Sequence, residues 1–245
     1  MFKKFLAIAA MMIFTPAWAQ PSVVVYDIDQ HKIIEQTNAY EVRPIASITK
    51  LMTAIVALDH YNLEDKIAVT KKQFTTVGTL LTSLLVRSDN KAAEILAKNY
   101  PGGRSAFISA MNNKAKIYNL SNTKFIDPSG LGIFNLSTAV EVTGLVGLAA
   151  EYSFIRTIAH QPEIYTVVKT KYGYKEQPVY SNTNKELLSE FDNIKLSKTG
   201  YTSHAGRCLT MLIEKNDQKQ IIVILGEPTK KTRDNLARQL IAQNS

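Results

Sequence analysis

Short runs rich in valine and isoleucine lie near both ends of the chain and predict β-strands there. Near the N-terminus, residues 22–29 and 32–35 flank a short polar turn, so the pattern predicts a β-hairpin. Toward the C-terminus, Gly173 and the pair Asn216 and Asp217 supply the predicted turns of two more hairpins. The strands predicted in this part cover residues 164–172, 177–181, 193–198, 207–214 and 220–225.

The middle of the chain instead carries apolar residues at helical spacing. A helix is predicted from residue 47 to about residue 60, and a helix over residues 232–243 closes the chain. Residues 61 to about 136 are predicted to be mainly helical. Within and just after this region the spacing predicts helices at residues 80–87, 92–98, 106–117 and 137–150.

Strands at both ends with helices between them favour one α/β domain of the α+β type. We predict an antiparallel sheet formed from both chain ends and flanked by helices. A mainly helical subdomain is predicted as an insertion at roughly residues 60–150. The sequence contains no repeat, low-complexity linker or composition change that would mark a second domain.

The first residues have the pattern of a cleaved secretory signal peptide. Lys3 and Lys4 precede an apolar run over residues 5–14, and Ala17 and Ala19 form a small-x-small cleavage site. The apolar run is too short to span a bilayer. We therefore expect residues 1–19 to be removed and residues 20–245 to act in the periplasm, without a stable membrane anchor.

Composition narrows the possible partners. The formal charge of +8 falls to +6 without Lys3 and Lys4, and the remaining lysines are scattered rather than clustered with aromatic residues, so nucleic acid is not expected. The charge is compatible with an anionic wall polymer. Cys208, the only cysteine, lies in an apolar stretch and is expected in the core, without a disulfide. The histidines have no metal-ligand spacing, so neither a metal nor a cofactor is expected.

The first candidate for chemistry is the Ser-x-x-Lys pair of Ser47 and Lys50, at the start of a predicted buried helix. Residues three apart share a helical face, so the amine can serve as a base for the hydroxyl. The alternative is an N-cap serine followed by a surface lysine. Ser88 and Ser121 begin segments with the same spacing, so spacing alone does not identify a nucleophile.

Two further motifs favour the catalytic interpretation of Ser47. Lys198-Thr199-Gly200 is the only Lys-Ser/Thr-Gly sequence in the chain, and it falls at the end of a predicted strand. Ser88 and Asn90 lie between the two motifs, on a predicted corner between helices. These elements occur in this order in serine acyl-transferases of the penicillin-binding and β-lactamase kind.

Each motif residue has a chemical reason to be present. Burial and a second cation both lower a lysine pKa, so Lys198 near Lys50 would favour a neutral base. Ser88 can relay a proton between Lys50 and the leaving amine. Asn90 offers an amide that can both donate and accept, which suits holding Lys50 and a substrate carbonyl.

The Lys-Thr-Gly strand suits substrate binding. Lys198 and the Thr199 hydroxyl are suited to hold a free carboxylate, and Gly200 lets substrate backbone lie close to the strand. The N–H groups of Ser47 and Tyr201 are the predicted oxyanion hole.

The chain resembles the low-molecular-mass penicillin-binding proteins of the serine D-alanyl-D-alanine peptidase family, and most closely their short periplasmic endopeptidase branch. The resemblance implies hydrolysis of D-alanyl-D-amino acid bonds in peptidoglycan stem peptides, through an acyl-enzyme on Ser47. It also implies that β-lactams acylate this serine. The segments that carry it are Arg43-Pro-Ile-Ala-Ser-Ile-Thr-Lys-Leu-Met-Thr53, Leu85-Val-Arg-Ser-Asp-Asn90, Asp127-Pro-Ser-Gly-Leu131, Ser197-Lys-Thr-Gly-Tyr-Thr202, Tyr100-Pro-Gly-Gly103, Met111-Asn-Asn-Lys-Ala-Lys116 and Ala205-Gly-Arg-Cys-Leu209.

The motifs leave other functions open. A D-alanyl-D-alanine carboxypeptidase uses the same residues on a terminal peptide bond. A class A β-lactamase requires Glu-x-x-x-Asn before the Lys-Thr-Gly strand, and none of the glutamates at positions 141–190 has asparagine four residues later. A wall-binding or β-lactam-sensing module without catalysis is the remaining alternative, although every expected catalytic position is filled.

Overall fold

The computed structural model describes residues 20–170, 173–215 and 218–243. The strands are β1 (Ser22–Asp27), β2 (Lys32–Thr37), β3 (Arg43–Pro44), β4 (Lys66–Thr70), β5 (Gln73–Thr76), β6 (Leu136–Ser137), β7 (Glu163–Thr170), β8 (Gly173–Ser181), β9 (Ile194–Thr202), β10 (Gly206–Lys215) and β11 (Gln218–Glu227). The helices are α1 (Lys50–His60), α2 (Val77–Val86), α3 (Asn90–Asn99), α4 (Gly103–Ile117), α5 (Ala139–Glu151), α6 (Ser153–Ala159), α7 (Lys185–Glu190) and α8 (Lys230–Gln243). A 3₁₀ turn, Ala46–Thr49, precedes α1. The predicted signal peptide and the turn predicted at Asn216 and Asp217 lie outside the described residues.

A five-stranded antiparallel sheet in the order β2-β1-β11-β10-β9 joins the two ends of the chain. Ser22 of β1 pairs with Leu225 of β11, and Gly200 of β9 pairs with Cys208 of β10. The predicted fold class is therefore confirmed. Strand β9 lies at the edge of this sheet, so one side of its backbone has no partner strand in the sheet.

Alternating side chains divide the core between the two faces of the sheet. Val24 and Val223 point into the larger cluster, which also contains the buried faces of α1 to α5. The next residue on each strand, Val25 or Ile224, points into a second cluster, which also contains Leu240 of α8 and residues of α7. Helices consequently cover both faces of the sheet. The Lys-Thr-Gly motif on β9 lies between these two layers of helices.

The region predicted to be mainly helical contains a small hairpin of β4 and β5, so the prediction was wrong for residues 66–76. Lys66–Thr70 is only five residues long, and its Ile67 and Val69 are β-branched, which favours a strand. The short helices α6 and α7 were not predicted, because each is only about two turns long.

Helix α5 begins later than predicted. Its N-cap is Thr138, whose hydroxyl accepts from the N–H of Glu141 at 3.1 Å. Ser137, the first residue of the predicted helix, instead belongs to β6 and pairs with Arg43, and its Oγ lies 2.7 Å from Oγ1 of Thr123. Among the described helices, none combines the length and apolar character that crossing a bilayer requires.

Candidate active site

Ser47 and Lys50 lie one helical turn apart at the beginning of α1. Ser47 belongs to the 3₁₀ turn and α1 begins only at Lys50, so the predicted α-helical first turn is tighter than expected. Lys50 Nζ lies 2.8 Å from Ser47 Oγ. The first two turns of α1 are buried, and Lys50 is 0% exposed because it lies on this buried segment.

The amine of Lys50 is surrounded by oxygen atoms. It donates to Asn90 Oδ1 at 2.7 Å and to the carbonyl oxygen of Ser129, besides its contact with Ser47. Burial lowers the pKa of Lys50 to about 8, although the charges of Asp127 and Asp89 act in the opposite direction. About a tenth of Lys50 is thus neutral at pH 7 and able to accept a proton.

The corner between α2 and α3 presents Ser88 and Asn90 to this site. Asp89 is the N-cap of α3, because its carboxylate accepts from the N–H of Lys91 at 2.8 Å and of Ala92 at 3.3 Å. Ser88 therefore does not cap the helix. Its backbone has φ 60°, a left-handed conformation that is uncommon for serine and makes the sharp turn into α3.

Lys198 lies behind Ser88 and is only 1% exposed. Its Nζ donates to Ser88 Oγ at 3.0 Å and to the carbonyl oxygen of Thr199 at 3.0 Å. Burial first, and then the nearby charges of Lys50 and Arg233, lower the pKa of Lys198 well below its ordinary value. The predicted approach of the two lysines is thus present, but Thr199 rather than Lys198 lines the cavity.

Gly200 allows β9 to pass against the turn that carries Ser47. A Cβ at this position would lie 3.0 Å from the backbone nitrogen of Ser47 and 3.0 Å from the carbonyl oxygen of Ile45. The motif was predicted at a strand end, but β9 continues to Thr202. This extension places Tyr201 beside the site, half exposed, with the Arg207 guanidinium 3.7 Å from its ring centroid.

The loop at residues 127–131, one of the segments that carry the family resemblance, contacts both Ser47 and Lys50. The Ser129 carbonyl oxygen accepts from Lys50, and Ser47 Oγ lies 3.5 Å from it. Gly130, at φ +81°, packs so closely that a Cβ would lie 1.9 Å from the carbonyl oxygen of Ala46. The Asp-Pro-Ser-Gly sequence indicates a tight loop at this position, since aspartate and glycine are typical of such loops.

The carboxylate of Asp127 holds this loop together. It accepts from the N–H groups of Ser129 and Gly130, each at 2.7 Å, and from the N–H of Gly132 at 2.8 Å. Burial raises the pKa of Asp127, but hydrogen bonds from Ser129, Gly132 and Asn135 outweigh it, so the net pKa is lowered. A charged Asp127 therefore positions the carbonyl that contacts Lys50.

The cavity at the site has a volume of about 350 Å³ and a cationic wall. Ser47, Ser88, Thr199 and Tyr201 line it, as the motifs predicted, together with Thr183, Arg207, Lys230 and Arg233. The catalytic motifs do not include these last four residues, which come from the loop before α7, from β10 and from α8. A nucleophile with a neutral amine beside a cationic wall is suited to acyl transfer from a substrate that carries a carboxylate.

The sequence relatives that the chain resembles are bacterial D-alanyl-D-alanine peptidases. It is 35% identical over 237 residues to the D-alanyl-D-alanine endopeptidase of Escherichia coli (strain K12), covering 89% of this chain and 74% of the relative. It is 36% identical over 223 residues to the Pseudomonas aeruginosa D-alanyl-D-alanine endopeptidase, with coverages of 84% and 71%. A D-alanyl-D-alanine carboxypeptidase of Bacillus subtilis (strain 168) is 27% identical over 233 residues, with coverages of 87% and 59%.

Solved structures with the same fold agree with these relatives. Penicillin-binding protein D2 from Listeria monocytogenes, in its ampicillin-bound form, matches with a TM-score of 0.77 at 26% identity, covering 90% of this chain and 95% of that one. A mutant of the Streptomyces K15 DD-transpeptidase matches with a TM-score of 0.80 at 26% identity and the same coverages. The family model for D-alanyl-D-alanine carboxypeptidases, peptidase family S11, matches residues 10–229. This chain therefore belongs to the S11 family of D-alanyl-D-alanine peptidases.

Proposed function

We propose that the protein is a DD-endopeptidase that cleaves the bond between D-alanine and the D-centre of diaminopimelate in peptidoglycan cross-links. The observation that carries the proposal is the 2.8 Å contact between Lys50 Nζ and Ser47 Oγ, in a cavity with three cationic side chains. Residues 20–245 form the catalytic domain in this proposal, with the mainly helical subdomain at roughly residues 60–150.

Acylation begins when neutral Lys50 removes the hydroxyl proton of Ser47. The Oγ attacks the carbonyl carbon of D-alanine, and the carbonyl oxygen becomes negatively charged. We assign the N–H groups of Ser47 and Tyr201 as the oxyanion hole. The close packing of Gly200 against the Ser47 backbone supports this assignment, because it brings the two chain segments together.

Collapse of the intermediate breaks the carbon–nitrogen bond and requires a proton on the leaving amine. Lys50 holds the proton taken from Ser47, and Ser88 passes it to the amine. Because Lys198 donates to Ser88 Oγ, the hydroxyl hydrogen of Ser88 remains available for this transfer. Water then hydrolyses the ester and restores the free Ser47.

The cationic wall binds the carboxylate that remains beside the scissile bond. Thr199 and Arg233 line the cavity, and Lys198 lies behind Thr199 and donates to its carbonyl oxygen. Arg233 is buried and its Nε lies 2.8 Å from Asp234, which fixes its orientation. A carboxylate at this place is present in both a terminal D-alanine and a cross-link, so it does not separate the two activities.

The preference for cross-links is supported by the sequence relatives. The endopeptidases are 32–36% identical to this chain, whereas the carboxypeptidases are 23–28% identical. The proposal includes covalent inhibition by β-lactams at Ser47. It also includes action in the periplasm after removal of residues 1–19.

Chromatography of the products from purified muropeptides tests the proposal. We expect the wild-type protein to convert cross-linked dimers into monomers, and Ser47→Ala to leave them intact. Shortening of pentapeptides to tetrapeptides without dimer cleavage would show a carboxypeptidase instead. Fast turnover of penicillin with neither peptide cleaved would show a β-lactamase.

A further inference from the structure

The catalytic cavity continues into a groove between α7 and α8. A second cavity of about 250 Å³ shares Thr183 and Lys230 with the catalytic cavity. A third cavity of about 310 Å³ shares Glu186, Lys230 and Asp234 with the second. Lys230 borders all three, so they adjoin along the N-terminal half of α8. We call the second and third cavities together the α7–α8 groove.

The inner wall of this groove is held rigidly by buried asparagines. Asn184 Nδ2 donates to Ser197 Oγ at 2.8 Å, which ties the wall to the strand that carries the Lys-Thr-Gly motif. Asn182 Nδ2 donates to the carbonyl oxygen of Gln161 at 3.0 Å, and its Oδ1 accepts from the N–H of Asn184 at 2.9 Å. Both side chains are buried, so the groove is preformed in the protein.

The groove is polar and carries cations that suit an anionic peptide. Lys230 Nζ lies 2.6 Å from Glu186 Oε1, and this pair is 47% and 64% exposed at its two ends. Exposed ion pairs are weak, so a substrate carboxylate can take the place of Glu186. Lys231 adds positive charge in the third cavity, farther from Ser47, where Arg238 is paired with Glu190 at 2.8 Å.

A cross-link and a terminal dipeptide differ on the leaving side of the scissile bond. A terminal D-alanine ends at its carboxylate, which the catalytic cavity holds. The leaving residue of a cross-link carries the rest of a second stem peptide, with further free carboxylates, and this chain must extend beyond that cavity. We propose that the α7–α8 groove binds this second stem peptide. The proposal rests on the endopeptidase function argued above.

A bulky side chain at Asn235 tests the proposal. Asn235 is exposed, lines only the third cavity and lies outside the catalytic machinery. Gln239 is exposed on the same helix and lines none of the three cavities, so Gln239→Trp is the matched control. Both changes are made in Ser47→Ala protein, and the Kd values for a purified cross-linked dimer and for a pentapeptide are measured by calorimetry.

We expect Asn235→Trp to raise the Kd for the dimer by about tenfold or more and to leave the pentapeptide Kd unchanged. Gln239→Trp should change neither value. An unchanged dimer Kd in Asn235→Trp would overturn the proposal. So would an equal loss for both ligands, because the groove would then not distinguish a second stem peptide.

A charge reversal supplies an independent variant. Lys231 is exposed and lies in the third cavity, so Lys231→Glu tests the groove without adding bulk. We expect weaker binding of the dimer and an unchanged pentapeptide Kd, and an unchanged dimer Kd would contradict the proposal.

Hydrolysis by the wild-type protein separates the proposed endopeptidase function from the proposed role of the α7–α8 groove. Wild-type protein that leaves dimers uncleaved contradicts the endopeptidase function, while the Kd values still decide whether the groove binds them.

Discussion

Lys50 Nζ is buried and lies 2.8 Å from the Oγ of the partly buried Ser47, and among the described residues this amine has no carboxylate within ion-pair distance. Its other partners are the neutral oxygens of Asn90 and Ser129. A buried ammonium with only neutral partners loses its proton more easily than an exposed lysine. The fold therefore places beside Ser47 an amine that is suited to accept its proton.

The rate of acylation by penicillin should depend on the protonation of Lys50. Its pKa is lowered to about 8, and only the neutral amine can accept the Ser47 proton. We expect the second-order acylation rate to fall about tenfold for each pH unit well below this value and to level off above it. Stopped-flow measurement between pH 5 and pH 9 checks the profile, and a rate independent of pH would contradict the role of Lys50.

The same lowered pKa predicts a pH dependence of stability. The unfolded chain holds the Lys50 proton up to about pH 10.5, whereas the folded protein releases it near pH 8. Between these values the unfolded state binds more protons, so the free energy of unfolding rises with pH. Comparison with Lys50→Met by urea denaturation isolates this contribution. A difference between the two proteins that stays constant from pH 8 to pH 10 would contradict it.

Replacement of Lys50 should slow acylation, whereas replacement of the lysine in a second Ser-x-x-Lys segment should not. Lys50→Met should slow penicillin acylation by roughly 10²–10⁴-fold, the range of a lost general base. Lys91, in the segment that begins at Ser88, is exposed and lies outside the cavity lining. Lys91→Met should acylate at the wild-type rate. Equal rates for the two variants would show that Lys50 is not the base.

Gly130 should be required for the geometry of the nucleophile. Gly130→Ala would place a Cβ 1.9 Å from the carbonyl oxygen of Ala46, next to Ser47, so the loop and the 3₁₀ turn must separate. We expect slower acylation and a loss of stability of roughly 1–3 kcal/mol.

Gly103 provides the control for this prediction. It also has a left-handed backbone, at φ +73°, but a Cβ there would meet nothing within 4 Å. Gly103→Ala should lose about 1–2 kcal/mol from backbone strain and acylate normally. If Gly130→Ala acylates as fast as Gly103→Ala, the contact of this loop with the Ser47 turn is not needed for catalysis.

The motifs in the sequence indicated most of the candidate residues that the fold brings together, because their proposed chemistry depends on local spacing. Ser47 and Lys50 are one turn apart on any helix, and the strand character of the Lys198 segment follows from its alternating residues. The sheet of both chain ends could likewise be predicted, since β1 and β11 are rich in β-branched residues and polar turn residues separate the predicted strands of the last hairpin.

Other parts of the site depend on contacts between segments far apart in the chain. The carbonyl of Ser129 reaches Lys50 across 79 positions, and any residue has a carbonyl, so sequence carries no mark of this role. Arg207 and Arg233 look like ordinary basic residues of a strand and a helix until the fold brings them to one wall. The hairpin β4–β5 was missed because strands this short have weak patterns.

Mass spectrometry of the penicillin adduct tests the central claim, that Ser47 is the acylated nucleophile, most directly. Opening of the β-lactam ring by Ser47 Oγ loses no atoms, so the intact protein should gain the whole mass of the penicillin. After proteolysis, the adduct should lie on the fragment that contains Ser47, and Ser47→Ala protein with a wild-type circular dichroism spectrum should gain no mass. An adduct on another residue, or equal labelling of folded Ser47→Ala, would contradict the account.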